Sequence, residues 1–259
     1  PFFLYLSHFA PHNPLQALRD DYDHFHHIEG EFSEELKVYS GMLKALDRSV
    51  GRILDTLEKN NLTDNTLIVL TSDNGGANYI HLSDINKPYR GWKLTHFEGG
   101  LHVPFMAKWP NKIKPGIEFN APIHANDILP TFAAAAGAEL PDDRIIDGVN
   151  LLPFLQNHNS DMPHETLYWL QGRLQTVLHE NWKLITDHRT GKDWLFNVES
   201  DPYERINLAS EMTLKVEELK RLLNDHKKVQ PPPLYDNTMS VPILIDKHNG
   251  YAFQDGDEF

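Results

Sequence analysis

Three short stretches of this sequence gather side chains whose types and spacing could do chemistry. Asp73-Asn74-Gly75-Gly76 sets a carboxylate beside a carboxamide, an all-oxygen pair of the kind a hard divalent cation such as Ca2+ or Mg2+ prefers. The two glycines let the backbone turn sharply and approach a ligand; an ordinary turn would use the same four residues. His8 and His12 lie in a second stretch, broken by Pro11 and Pro14. The third, residues 90–100, places Arg90, Lys93 and His96 among Gly91, Gly99 and Gly100. Lys93 could meet an anion as a point charge on its oxygens, and a solvated loop lysine is the plainer alternative.

Positioning these residues requires an α/β scaffold. Residues 2–7 are a short apolar run, the pattern of a strand covered on both faces. A polar loop is expected over 18–33, then a helix over 34–59 with Leu43, Leu46, Val50, Ile53, Leu54 and Leu57 at three- and four-residue steps. Residues 66–71 read as a buried strand that runs straight into Ser72 and Asp73. Strand, helix, strand predicts a mostly parallel sheet flanked by helices, with a right-handed crossover and ligands beyond the carboxyl ends of its strands. A third strand at 103–108 and a helix at 128–136, capped by Asn126 or Asp127 and ended by Gly137, continue the pattern.

Beyond residue 160 the texture changes. Four short runs, 166–170, 174–178, 182–186 and 194–198, are split by turn residues and predict a small antiparallel meander. A helix over 211–227 follows, then Pro231-Pro232-Pro233 and an acidic end expected to fray. The expected units are thus 1–160, 161–228 and an extended Pro-rich tail, 229–259.

Composition narrows the function. The 259 residues carry 24 Lys+Arg against 37 Asp+Glu, a net charge of -13, which disfavours nucleic acid as a partner because phosphates need clustered cations. No apolar run approaches the roughly 20 residues of a membrane span. The absence of cysteine excludes a thiolate metal site or cysteine nucleophile within these residues. Fifteen histidines invite zinc, yet neither the cluster His24, His26, His27 nor any HExxH string matches a standard site. Asn61-Leu62-Thr63 is a glycosylation sequon of the kind chance often supplies.

Five ordered blocks together resemble the type I, formylglycine-dependent sulfatases of the alkaline phosphatase superfamily. They are residues 2–14 (FFLYLSHFAPHNP), 67–76 (LIVLTSDNGG), 90–104 (RGWKLTHFEGGLHVP), 124–137 (HANDILPTFAAAAG) and 195–209 (LFNVESDPYERINLA). The last block and the Pro-rich end look most similar to the arylsulfatase B-like branch. The resemblance implies an alkaline phosphatase-like fold and hydrolysis of sulfate esters, of a sulfated carbohydrate or an aryl sulfate. It assigns His12 to the sulfate and leaving oxygen, Lys93 to a sulfate oxygen, and Asp73 and Asn74 to a Ca2+ or Mg2+ ion. His8, Arg90 and His96 complete the expected substrate contacts. It also implies a periplasmic or secreted protein.

Departures from the family pattern are informative. The family's nucleophile, formylglycine made from Cys or Ser in C/S-x-P-x-R, precedes the first of these blocks. Ser200-Asp201-Pro202 is an S-x-P string, and it lacks the arginine. The paired aspartates that complete the metal shell are also missing, and His102 stands where the family commonly has Arg. Residues 2–7 read as a strand already under way, so the expectation is the C-terminal half of a sulfatase, inactive alone, whose partner is the N-terminal half. Two other functions share these features: a phosphonate or phosphodiester hydrolase of the same superfamily, and a non-catalytic subunit that binds sulfated glycan.

Overall fold

The leucine recurrence after residue 33 folds as a long helix, and a shorter one packs across it. The computed structural model describes residues 1–82, 85–157, 159, 161–234, 244–247, 254, 257 and 258, with Tyr79 described by its backbone only. The expected loop 18–33 contains helix α1 (Arg19–Asp23), which lies on α2 (Ser33–Lys59). Gly41 permits that approach, since a Cβ there would press on Ala17 and the Tyr22 backbone. Buried Asp21 fixes it, accepting from Arg48 Nη1 at 2.7 Å and Nη2 at 2.8 Å.

Strand β1 (Ile68–Thr71) pairs with β2 (Phe105–Lys108), Ile68 opposite Lys108 and Thr71 opposite Phe105. This ladder is antiparallel, which corrects the expected mostly parallel sheet: among the described residues every ladder is antiparallel. Residues 2–7 form no ladder, and Phe3 and Tyr5 are 75% and 81% exposed. An alternation of strand and helix predicts a crossover, but it does not name the strands that end up adjacent. Between β1 and β2 lies helix α3 (Glu98–Leu101). Helix α4 (Ile128–Ala136) begins behind a capping box in which Asp127 Oδ2 accepts from His124 N at 2.7 Å, and it ends at Gly137 with φ 66°. Helix α5 (Leu152–Leu155) supplies Leu152 and Leu155 to a core with Trp109, Ile113 and Leu151.

The meander forms as expected: β3 (Thr166–Gln171), β4 (Leu174–His179), β5 (Trp182–Asp187) and β6 (Lys192–Asn197), paired in that order. Helix α6 (Thr213–Val229) lays Val216, Leu219 and Leu223 on Val177, Leu184 and Leu195. Each such leucine contributes about 1.5–3 kcal/mol on burial. The opposite face packs Leu174, Ile185, Trp194 and Phe196 against Phe97 and Ile245. The sheet is therefore a platform shared by both halves of the chain.

The tail departs from expectation. Most of 235–259 lies outside the described residues, but Leu244 and Ile245 are buried, and Glu258 reaches Lys192 and Arg90, both at 2.5 Å. Glu258 is thus tied down by charge rather than frayed. Among the described residues no helix is long and apolar enough to cross a membrane.

Candidate active site

The turn after β1 and the loop that enters α3 meet through their backbones. Gly75 N donates to Gly100 O, and Lys93 N donates to Gly76 O, each at 3.0 Å. Gly99 N closes the loop on Arg90 O at 2.6 Å. Glycine is required at this junction: a Cβ on Gly75 would overlap the Gly99 carbonyl, one on Gly99 the Gly91 carbonyl, and one on Gly100 the carbonyls of Trp92 and Thr95. Lys93 N is thereby tied to Gly76, two residues beyond Asn74.

Their functional atoms are uncommitted. Asn74 Nδ2 donates to Gly75 O at 2.9 Å, while among the described residues no hydrogen bond or ion pair uses Asn74 Oδ1, the Asp73 carboxylate or Lys93 Nζ. A carboxylate and a carboxamide with free oxygens, together with a free ammonium, can hold a cation and an anion. His12 is exposed, with Nδ1 2.7 Å from Asn13 O and its ring 5.4 Å from Phe9. His8 is half-buried. Among the described residues no hydrogen bond or ring contact joins either histidine to the Asp73–Lys93 junction.

Two expected substrate contacts are corrected. Arg90 Nε and Nη2 donate to Asp246 at 2.7 Å, Nη2 also meets Glu258, and Nη1 donates to the Glu204 carbonyl at 3.3 Å. Its guanidinium lies over Phe97, 4.9 Å from the ring centre, so it clamps the C-terminal segment instead of presenting a free fork. His96 is 2% exposed, with Nδ1 2.9 Å from Thr176 Oγ1. Burial and the nearby Lys183 charge push it down to about 4, which keeps it neutral. It joins the loop to the sheet and is closed to substrate.

Beneath the junction lies an ionic cluster with no clear signal in the sequence. Lys183, 1% exposed on β5, reaches Glu98 Oε1 at 2.5 Å and pairs with Glu204 Oε1 at 2.8 Å without making a hydrogen bond there. Glu204 Oε2 accepts from Glu98 N at 2.6 Å, and His102 Nδ1 lies 2.8 Å from Glu98 Oε2 while its ring stacks on Tyr89. Burial alone would raise the Glu98 carboxyl, but Lys183 and His102 outweigh it and hold it at about 2. Burial and the neighbouring Glu98 charge raise Glu204, against the pull of Lys183. The one sequence hint was a lysine set among apolar residues of a strand.

The elements and the small C-terminal sheet define an α/β protein. The Sulfatase family profile matches residues 1–138, and that of N-sulphoglucosamine sulphohydrolase, C-terminal, matches 91–229. The chain belongs to the sulfatase family. It is 35% identical over 209 residues to steryl-sulfatase of Rattus norvegicus, covering 78% of this chain and 34% of that one. It is 37% identical over 181 residues to the uncharacterized sulfatase YdeN of Escherichia coli (strain K12), covering 70% and 32%. The crystal structure of Ps i-CgsB in complex with k-i-k-neocarrahexaose aligns with TM-score 0.81 at 33% identity, over 93% of this chain and 53% of that one. The chain thus spans about a third of the length of these curated relatives.

Proposed function

We propose that these residues form one side of the active site of a sulfuric ester hydrolase that acts on a sulfated carbohydrate. The observation that carries this reading is the junction, where a free Lys93 ammonium is held on the same backbone unit as the free oxygens of Asp73 and Asn74. Sulfuryl transfer between oxygens develops negative charge on the equatorial oxygens and on the leaving group. Lys93 neutralises the first, and His12 gives a proton to the departing oxygen. The carbohydrate class is supported by the 33% identity to a protein whose structure holds a neocarrahexaose. Export to the periplasm or beyond suits such a substrate.

Asp73 and Asn74 suit a Ca2+ or Mg2+ ion in donor type, while two oxygens are far fewer than the six to eight that Ca2+ takes. Among the described residues no group of three or more His, Asp or Glu could hold a metal. We place its further ligands on protein outside the described residues; a cation there would polarise the ester oxygens. No C/S-x-P-x-R string occurs in these residues, so the formylglycine precursor is not among them. Ser200 is a turn residue, its N bonded to Asn197 Oδ1 at 3.1 Å. The partner we propose is the N-terminal half of a longer sulfatase, laid over exposed Phe2, Phe3, Leu4 and Tyr5.

The test is hydrolysis of 4-nitrocatechol sulfate and of a sulfated oligosaccharide by the full-length protein and by residues 1–259 alone. Turnover is expected from the first only. Turnover by the purified 259-residue chain, lost on Lys93→Ala, would contradict the two-part site.

A further inference from the structure

The geometry points to Asn86 as the positioning residue that sets Lys93 against the Asp73–Asn74 pair, a proposal that rests on the sulfate-ester reading. Its Oδ1 accepts from Gly76 N at 2.7 Å, and its Nδ2 donates to Gly76 O at 2.9 Å and to Gly91 O at 3.0 Å. One planar amide thus satisfies both backbone groups of Gly76 and reaches across to the loop that carries Lys93. Gly76 O also receives Lys93 N at 3.0 Å, so Asn86 and Lys93 share a single carbonyl.

The chemistry demands a carboxamide. The position needs an acceptor and a two-proton donor in one short group, which asparagine supplies and aspartate does not. Gly91 has φ 83°, and a Cβ on Gly76 would strike the Ile85 side chain. Asn86 is half-buried and lies outside every block that carries the family resemblance. It touches the frame and acts through Lys93, whose placement decides how well charge on the sulfuryl oxygens is met. A misplacement of about 1 Å can cost on the order of 10²-fold in rate.

A double-mutant cycle in the full-length protein tests this, with 4-nitrocatechol sulfate as substrate. Asn86→Ala is expected to lower kcat by about 10- to 100-fold with KM changed less than about 3-fold. In the Lys93→Ala background the same substitution should cost less than about 3-fold, because its effect is already lost. Asn86→Asp, equal in shape, should not rescue, since it turns an oxygen on the carbonyls of Gly76 and Gly91. Hydrogen exchange by mass spectrometry gives a readout independent of activity: segments 72–76 and 90–101 should lose protection together in Asn86→Ala. Equal losses in both backgrounds, rescue by Asp, or unchanged exchange would overturn the proposal. Should Lys93→Ala leave both kcat and KM intact, the sulfate-ester reading fails, and the exchange measurement still decides whether Asn86 holds the two segments together.

Discussion

Replacing Lys183 with methionine tests whether the C-terminal sheet holds the site loop by buried charge. Among the described residues Lys183 is the one cation paired with both Glu98 and Glu204, and all three side chains are largely out of water. Removing it strands two carboxylates, a loss that typically costs about 3–5 kcal/mol. The direction agrees: Glu98 is held at about 2 instead of 4.5, so the native state favours its charged form. The sign follows from linkage. A depressed carboxylate contributes stability above its unfolded value of 4.5 and loses it as pH falls through about 2. In Lys183→Met the two acids repel, one of them protonates readily, and the deficit should shrink between pH 7 and pH 5. Urea unfolding followed by tryptophan fluorescence reads this, since Trp194 is buried in the same sheet. Adding Glu98→Gln and Glu204→Gln should recover much of the loss. A cost below about 1 kcal/mol at pH 7, or a deficit of equal size at pH 5, would refute the buried-charge account.

Two further outcomes are expected. His96 titrates at about 4 in the folded chain against 6.5 unfolded, so the unfolded state binds the extra proton and stability falls as pH drops from 6.5 towards 4. The full difference is about 3 kcal/mol, and urea midpoints of His96→Gln should be flatter across that window; an unchanged slope would exclude His96 as its source. Calorimetry of the 259-residue chain should find only weak Ca2+ binding, because Asp73 and Asn74 supply two oxygens. A sub-micromolar Kd would contradict the shared metal shell.

What the sequence made legible follows from local physics. The four strands between residues 166 and 197 announce themselves because turn residues such as Gly172 and Gly191, both at positive φ, punctuate short apolar runs. Helix α4 is bounded by Asp127 and Gly137, whose capping roles are local. Gly75, Gly99 and Gly100 stood out because they sit within the family blocks, but nothing there states that they meet. Long-range choices were not. Nothing in residues 68–71 states that their partner is 105–108 in antiparallel sense. Arg90 looked free because its acidic partners, Asp246 and Glu258, are more than 150 residues away. Asn86 gave no signal, since an asparagine beside Lys87 and Pro88 reads as an ordinary loop.

The most direct measurement of the central claim is the steady-state kinetics of Lys93→Ala in the full-length protein with 4-nitrocatechol sulfate. If Lys93 meets charge that develops during sulfuryl transfer, kcat should fall on the order of 10²–10³-fold while KM changes little. A rise in KM with kcat unchanged would make Lys93 a ground-state contact, and unaltered kinetics would remove it from the active site.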